Sequence, residues 1–162
     1  MYRVLKHYKK IVKRIDRRNK VALVSWDWSC YPTLRTVNIP QLTTEEGEQE
    51  FLQSIKEKLP NKYKTLIDTV PVHLWSLYHE LGHLETNTMA EDKKNDFLRS
   101  VALFLYKIGL KSIGNKIYYN LTDEKFATTW AIDYVIHHLK QVERDIKRMN
   151  YVYYDYYNRL GV

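Results

Sequence analysis

The stretch LYHELGHLE, residues 77 to 85, restricts what this chain can fold into more than any other. His79 and His83 stand four positions apart, and Glu80 directly follows the first. An α-helix turns about 100° per residue, so positions four apart share a face and lie roughly 6 Å from each other. Two imidazole nitrogens at that spacing can meet one Zn²⁺ at about 2.0–2.1 Å. Glu80, one residue on, can reach a zinc-bound water without itself being a ligand. Zinc lowers the pKa of that water towards roughly 7, and the carboxylate takes its proton as the water attacks a peptide carbonyl. The neighbours Leu77, Leu81, Gly82 and Leu84 are uncharged, and Gly82 would let another element approach the helix closely. Glu85 is charged where an apolar residue is common. The plain alternative is a helix with two histidines and no metal.

A catalytic zinc site needs a third protein ligand and an open fourth position, so the fold must bring a second element to this helix. A third histidine six residues after His83 would fall at position 89, where Met89 stands. The candidates are then Glu124, Asp133, His137 and His138, all in a helix predicted to open at Thr122. If that helix is unbroken, Asp133 faces away from Glu124 and lies about 13 Å further along, while His138 shares its face at about 21 Å. At most one of them can serve the metal. Glu124 is the best placed, in the first turn with nothing bulky beside it, and Asp133 stays open as the alternative ligand.

The segment EKFATTWA, residues 124 to 131, resembles the ExxAxxFA signature of the ImmA/IrrE family of gluzincin metallopeptidases, and HELGH is that family's other hallmark. The resemblance makes Glu124 the third zinc ligand and Ala127 and Ala131 the small packing residues, with Trp130 in place of the usual Phe. Thr128 stands where the family often has Asn, and its hydroxyl would orient a ligand histidine. The 41 residues from His83 to Glu124 exceed the usual gap. The resemblance implies a zincin-like domain, zinc as cofactor, and an intracellular endopeptidase with Glu80 as general base. It also implies a single protein substrate, such as a helix-turn-helix repressor, in a mobile element or stress response. The competing class is a non-enzymatic, zinc-stabilised or metal-free protein that docks on a protein or nucleic-acid partner.

The remaining sequence agrees with one α+β domain over residues 1 to 162, mostly helical with a small sheet. Its 44% hydrophobic content, four prolines and five glycines suit a globular chain with a real core. Residues 1 to 20 hold nine basic side chains and one acid, against 17 basic and 18 acidic in the other 142, so one segment carries the whole excess of +7. Within it Val4, Leu5, Tyr8, Ile11, Val12 and Ile15 form an apolar stripe, which predicts a helix over about 2–18 with a basic outer face. The reading preferred is a docked first helix with a solvated face, ahead of nucleic-acid or acidic-protein binding. Its apolar face lacks Trp and Phe, which speaks against a membrane surface. The longest apolar run, VALFLY at 101–106, is far too short to cross a bilayer, and no signal peptide is expected. The lone Cys30, read as a packed loop thiol, excludes an internal disulfide and favours a reducing, cytoplasmic setting.

Strands are predicted at 21–28 and 34–40, with a further one near 116–120 in a weakly extended segment from 111 to 121. Thr43 with Glu46 has capping-box spacing for a helix to about residue 59, and Pro71 suits the first turn of the histidine helix. The helix over 90–109 is expected to turn Phe97, Leu98, Val101, Leu105 and Ile108 inward and to stop at Gly109. The tyrosines at 151, 153, 154, 156 and 157 read as a helix packing rings onto the domain. The strand TVNIP is short, alternates and ends in Pro40, as an edge strand would. Thr36, Val37, Asn38 and Ile39 are therefore the candidates for holding an extended substrate peptide by strand addition.

Overall fold

The computed structural model describes residues 2–24, 28–40, 45–86 and 93–160. The chain forms α1 (Tyr2–Ile15), β1 (Lys20–Val24), β2 (Ser29–Tyr31), β3 (Thr36–Pro40), α2 (Glu45–Lys58), α3 (Leu66–Thr69) and α4 (Val72–Thr86). It continues as α5 (Lys93–Lys107), α6 (Lys111–Tyr118), α7 (Thr122–His137) and α8 (Leu139–Leu160). This is the mostly helical α+β domain with a small sheet that the pattern predicts.

The sheet has the order β1-β3-β2. β3 runs parallel to β1, with Val21 opposite Val37 and Leu23 opposite Ile39, and antiparallel to β2, with Cys30 opposite Val37. The expected edge strand is therefore the central one. Its main chain is engaged on both sides, which is why Val37, Asn38, Ile39 and Pro40 are all buried. A peptide cannot add to it, so Thr36, Val37, Asn38 and Ile39 are not a substrate edge. β2 was expected as loop and is the true third strand. The segment at 116–120 is not a strand, because Lys111–Tyr118 is helical and Gly114 lets α6 approach Ala102 and Tyr106 of α5. An alanine Cβ at Gly114 would stand 2.8 Å from the Ala102 carbonyl oxygen.

α4 is the axis of the core. Every residue from Leu74 to Leu84 is buried, the signature of a helix enclosed on all sides. Burying side chains such as Leu74, Leu77 and Leu81 contributes about 1.5–3 kcal/mol each. Pro71 precedes the helix rather than entering its first turn, and its carbonyl accepts from Leu74 and Trp75. α4 packs on α7, the sheet and α2, while α1 covers β1 and meets α8. The α1 stripe behaves as predicted: Val4, Tyr8, Ile11 and Val12 are buried, and Tyr8 meets Trp28 edge-to-face at 5.8 Å. The helix stops at Ile15, three residues early, where Asp16 accepts from Arg18 and Arg35.

Other expectations need correction. Phe97 and Ile108 are 66% and 53% exposed, so α5 turns inward through Ala102, with Leu98, Val101 and Leu105 half-buried. Gly109 does end that helix region, with φ +85°. α7 opens at Thr122 as expected, after the cap residue Leu121, which makes no side-chain bond. The long helix breaks at His138, where φ −123° and ψ 30° separate α7 from α8. Tyr151 is exposed, and the side chains of the later tyrosines lie outside the described residues, as does Thr43. Among the described residues no helix is long and apolar enough to cross a membrane.

Candidate metal centre

His79 and His83 lie one turn apart on α4, and Glu124 lies in the first turn of α7. The two helices can meet closely because Gly82 lies between the histidines. A Cβ there would stand 2.6 Å from the Ala127 carbonyl oxygen and 2.8 Å from its Cα. The small residues at 82 and 127 therefore set the distance between the helices and bring the three side chains together. Glu124 Oε2 lies 3.0 Å from His79 Nε2 and 3.6 Å from His83 Nε2. All three residues are buried, at 5%, 2% and 2% exposure for His79, His83 and Glu124. They form a group that could hold a metal ion.

The supports around this group extend well beyond its three members. Thr128, buried one turn after Glu124, has its hydroxyl 3.3 Å from His79 Nδ1. With the Nε2 lone pair turned to a metal ion, Nδ1 would donate to that hydroxyl, which then fixes both tautomer and ring plane. Phe51 of α2 packs edge-to-face on the same ring at 5.3 Å. Glu85, the charged neighbour that looked out of place, accepts from Arg35 at 2.7 Å and Asn19 at 3.2 Å. Arg35 holds a left-handed backbone (φ 47°, ψ 49°) as β3 begins, and its guanidinium also reaches Asn19 and Asp16. This network ties the end of the histidine helix to the sheet and offsets the backbone strain at Arg35.

Electrostatics favour a cation here. Glu80, Asp123 and Glu124 are buried together, and only Arg99 forms a lysine- or arginine-type salt bridge with any of them among the described residues. Three buried carboxyl groups thus share one guanidinium and the two imidazoles in a poorly hydrated region, a setting that suits a bound cation. Burial pushes Glu124 up, but hydrogen bonds and positive charge from His79 and His83 outweigh it and hold the carboxyl well below its usual range. Burial pulls His83 down, and Glu124 with Glu80 outweighs that and raises it. Burial also pushes Glu80 above an ordinary carboxylate, against the pull of the two histidines. Its neighbour is the Cys30 thiol of β2, which donates to Glu80 and is itself pushed far up by burial and that carboxylate.

Glu124 rather than Asp133 therefore joins the histidines. Asp133, His137 and His138 are exposed, and the last two face carbonyls of their own helix at 2.8 and 2.9 Å. His73 packs against Tyr8 at 6.3 Å, on the α1 side of α4. His7 is half-buried on α1. Sequence reasoning missed Arg99, which donates to Glu124 Oε1 at 3.2 Å and to Asp123 at 2.5 Å. It also missed Asn95, which reaches Asp123 at 3.4 Å. The only available signal was the pair of adjacent acids at 123 and 124, which leaves one carboxylate in need of a cation. Comparison with protein-family models, curated proteins and solved structures finds no match to this chain.

Proposed function

We propose that this chain is a zinc-dependent endopeptidase of the ImmA/IrrE kind, acting inside the cell on one partner protein. The observation that carries the reading is the convergence of His79 Nε2, His83 Nε2 and Glu124 Oε2 beside the buried Glu80. Two imidazole nitrogens with one carboxylate oxygen are a donor set that suits zinc better than larger, oxygen-seeking ions. Bound zinc would supply Lewis acidity towards water and a peptide carbonyl. Glu80 takes the proton of the attacking water and passes it to the leaving amine. Its buried setting, which raises its proton affinity, suits a general base. Thr128 and Phe51 keep the His79 ring fixed, and Gly82 keeps the two ligand helices in contact.

With β3 central, the sheet edge nearest this group among the described residues belongs to β2, whose Cys30 touches Glu80. An extended substrate peptide is therefore read as adding to Ser29–Tyr31. A helix-turn-helix repressor of a mobile element stays the implied substrate, on the strength of the sequence resemblance alone.

Glu80→Gln tests the reading, because it removes the base and leaves the ligands in place. The expected outcome is unchanged zinc content with cleavage of the partner protein reduced by about 10²–10⁴-fold. One observation favours a second reading, a zinc-stabilised docking protein: Phe97, Leu103, Phe104, Ile108, Leu110 and Ile113 of the α5–α6 region are exposed. A Glu80→Gln protein that retains its full biological effect would establish that reading instead.

A further inference from the structure

Arg99 belongs to α5, outside both the histidine helix and the glutamate helix. Its guanidinium nevertheless divides the two oxygens of Glu124. Oε2 faces His79 and His83, while Oε1 accepts from Arg99 Nη1 at 3.2 Å. The other arm of the guanidinium is held by Asp123 Oδ2 at 2.5 Å, and Asp123 Oδ1 in turn faces Asn95 at 3.4 Å. The flat face of the group lies over the Tyr118 ring at 5.2 Å. Three groups from α6 and α7 therefore fix where Arg99 points. A lysine would meet the two carboxylates as a point charge on a flexible stem, without the fixed direction of the planar fork.

We infer that Arg99 is a positioning residue that makes Glu124 a one-oxygen ligand. A carboxylate with both oxygens free can chelate a metal ion through both, and the second oxygen then takes the place needed by water and substrate. The charge-assisted bond to Oε1 withholds that oxygen. The inference rests on the metal-holding reading of His79, His83 and Glu124 and is independent of any peptidase activity. It also gives α5 a task in the centre. The stretch between the two ligand helices is what makes the gap from His83 to Glu124 long, and it returns a cation to the ligand carboxylate.

Cobalt(II) is the probe, because its visible d–d bands are strong in four-coordinate sites and weaken as coordination rises. Wild-type protein loaded with Co²⁺ is expected to give the strong four-coordinate bands. Arg99→Met, which keeps the stem and removes the fork, is expected to give weak bands typical of five-coordination while still binding the ion. Arg99→Lys keeps a charge without the fork and is expected to fall between the two. Asp123→Asn loosens the guanidinium from its other side and should shift the bands in the same direction, so the inference is testable even if Arg99→Met does not fold. A purely structural role would lower the melting temperature of these variants and leave the band intensity per bound cobalt unchanged. Wild-type intensity in folded, cobalt-loaded Arg99→Met, Arg99→Lys and Asp123→Asn overturns the inference. Wild-type protein that takes up no cobalt overturns the metal reading itself, and this inference with it.

Discussion

At the scale of single residues, the candidate centre depends on the partners that hold His79, His83 and Glu124 as much as on those three. Thr128 is the clearest case, since it is fully buried and its hydroxyl is the group facing His79 Nδ1. Thr128→Val keeps the shape and removes the acceptor, leaving a buried N–H without a partner. The expected result is a loss of about 1–3 kcal/mol in unfolding free energy and a roughly 10–100-fold weaker zinc affinity. Urea unfolding and competition with a chelator measure the two, and unchanged affinity would remove Thr128 from the site. His79, Glu80, His83, Glu124 and Thr128 were all legible in the sequence, because helical spacing relates residues within one element and two short motifs carry them. Arg99 was not. It lies 25 residues from Glu124 on a different helix, and no periodicity links such positions. Glu85 looked anomalous for the same reason, as its partner Arg35 is 50 residues away.

At the scale of elements, the contact between α4 and α7 determines whether His79 and His83 meet Glu124 at all. Gly82→Ala tests it directly. Alanine is the better helix former by roughly 1 kcal/mol, so an isolated helix would gain. Here the new Cβ would meet Ala127 backbone at 2.6 Å, and backbone cannot move aside as a side-chain tip can. The helices must part, at a cost of about 1–3 kcal/mol, and Glu124 moves away from both histidines. A variant less stable than wild type with weakened zinc binding is expected; one that is more stable and binds zinc normally would contradict the packing argument. The close approach could be read from the sequence because glycine between two ligands has few other uses. The pairing order of the strands could not. TVNIP has the alternation and the terminal proline of an edge strand, but β2 is only three residues long and too short to register as a pattern. Likewise the Ile and Tyr residues of α6 favour extended chain locally, and packing through Gly114 onto α5 overrides that preference.

At the scale of the whole molecule, α4 is held to both ends of the chain. Near its middle Tyr78 donates to the buried Asp145 of α8 at 3.1 Å, and Arg14 of α1 donates to the same carboxylate. At its start His73 packs on Tyr8 of α1. The apolar stripe of α1 foretold that this helix docks, but not that it docks against the element carrying the site. That arrangement gives the fold a sensitivity to acid. Burial lowers the His73 pKa to about 4, against 6.5 for a free imidazole. Above about pH 6.5 both native and unfolded chains hold this group neutral, and it has no effect on stability. As the pH falls below that value, the unfolded chain binds a proton that the native chain refuses, so stability drops until about pH 4 and then levels off. Phenylalanine can take the same edge-to-face place against Tyr8 without titrating. Between pH 7 and pH 5, wild type should lose on the order of 2 kcal/mol more than His73→Phe. Urea midpoints at the two pH values measure the difference, which cancels whatever constant effect the substitution has on packing. Equal losses in the two proteins would mean that His73 accepts its proton in the folded state, and that the contact between α1 and α4 opens to admit it.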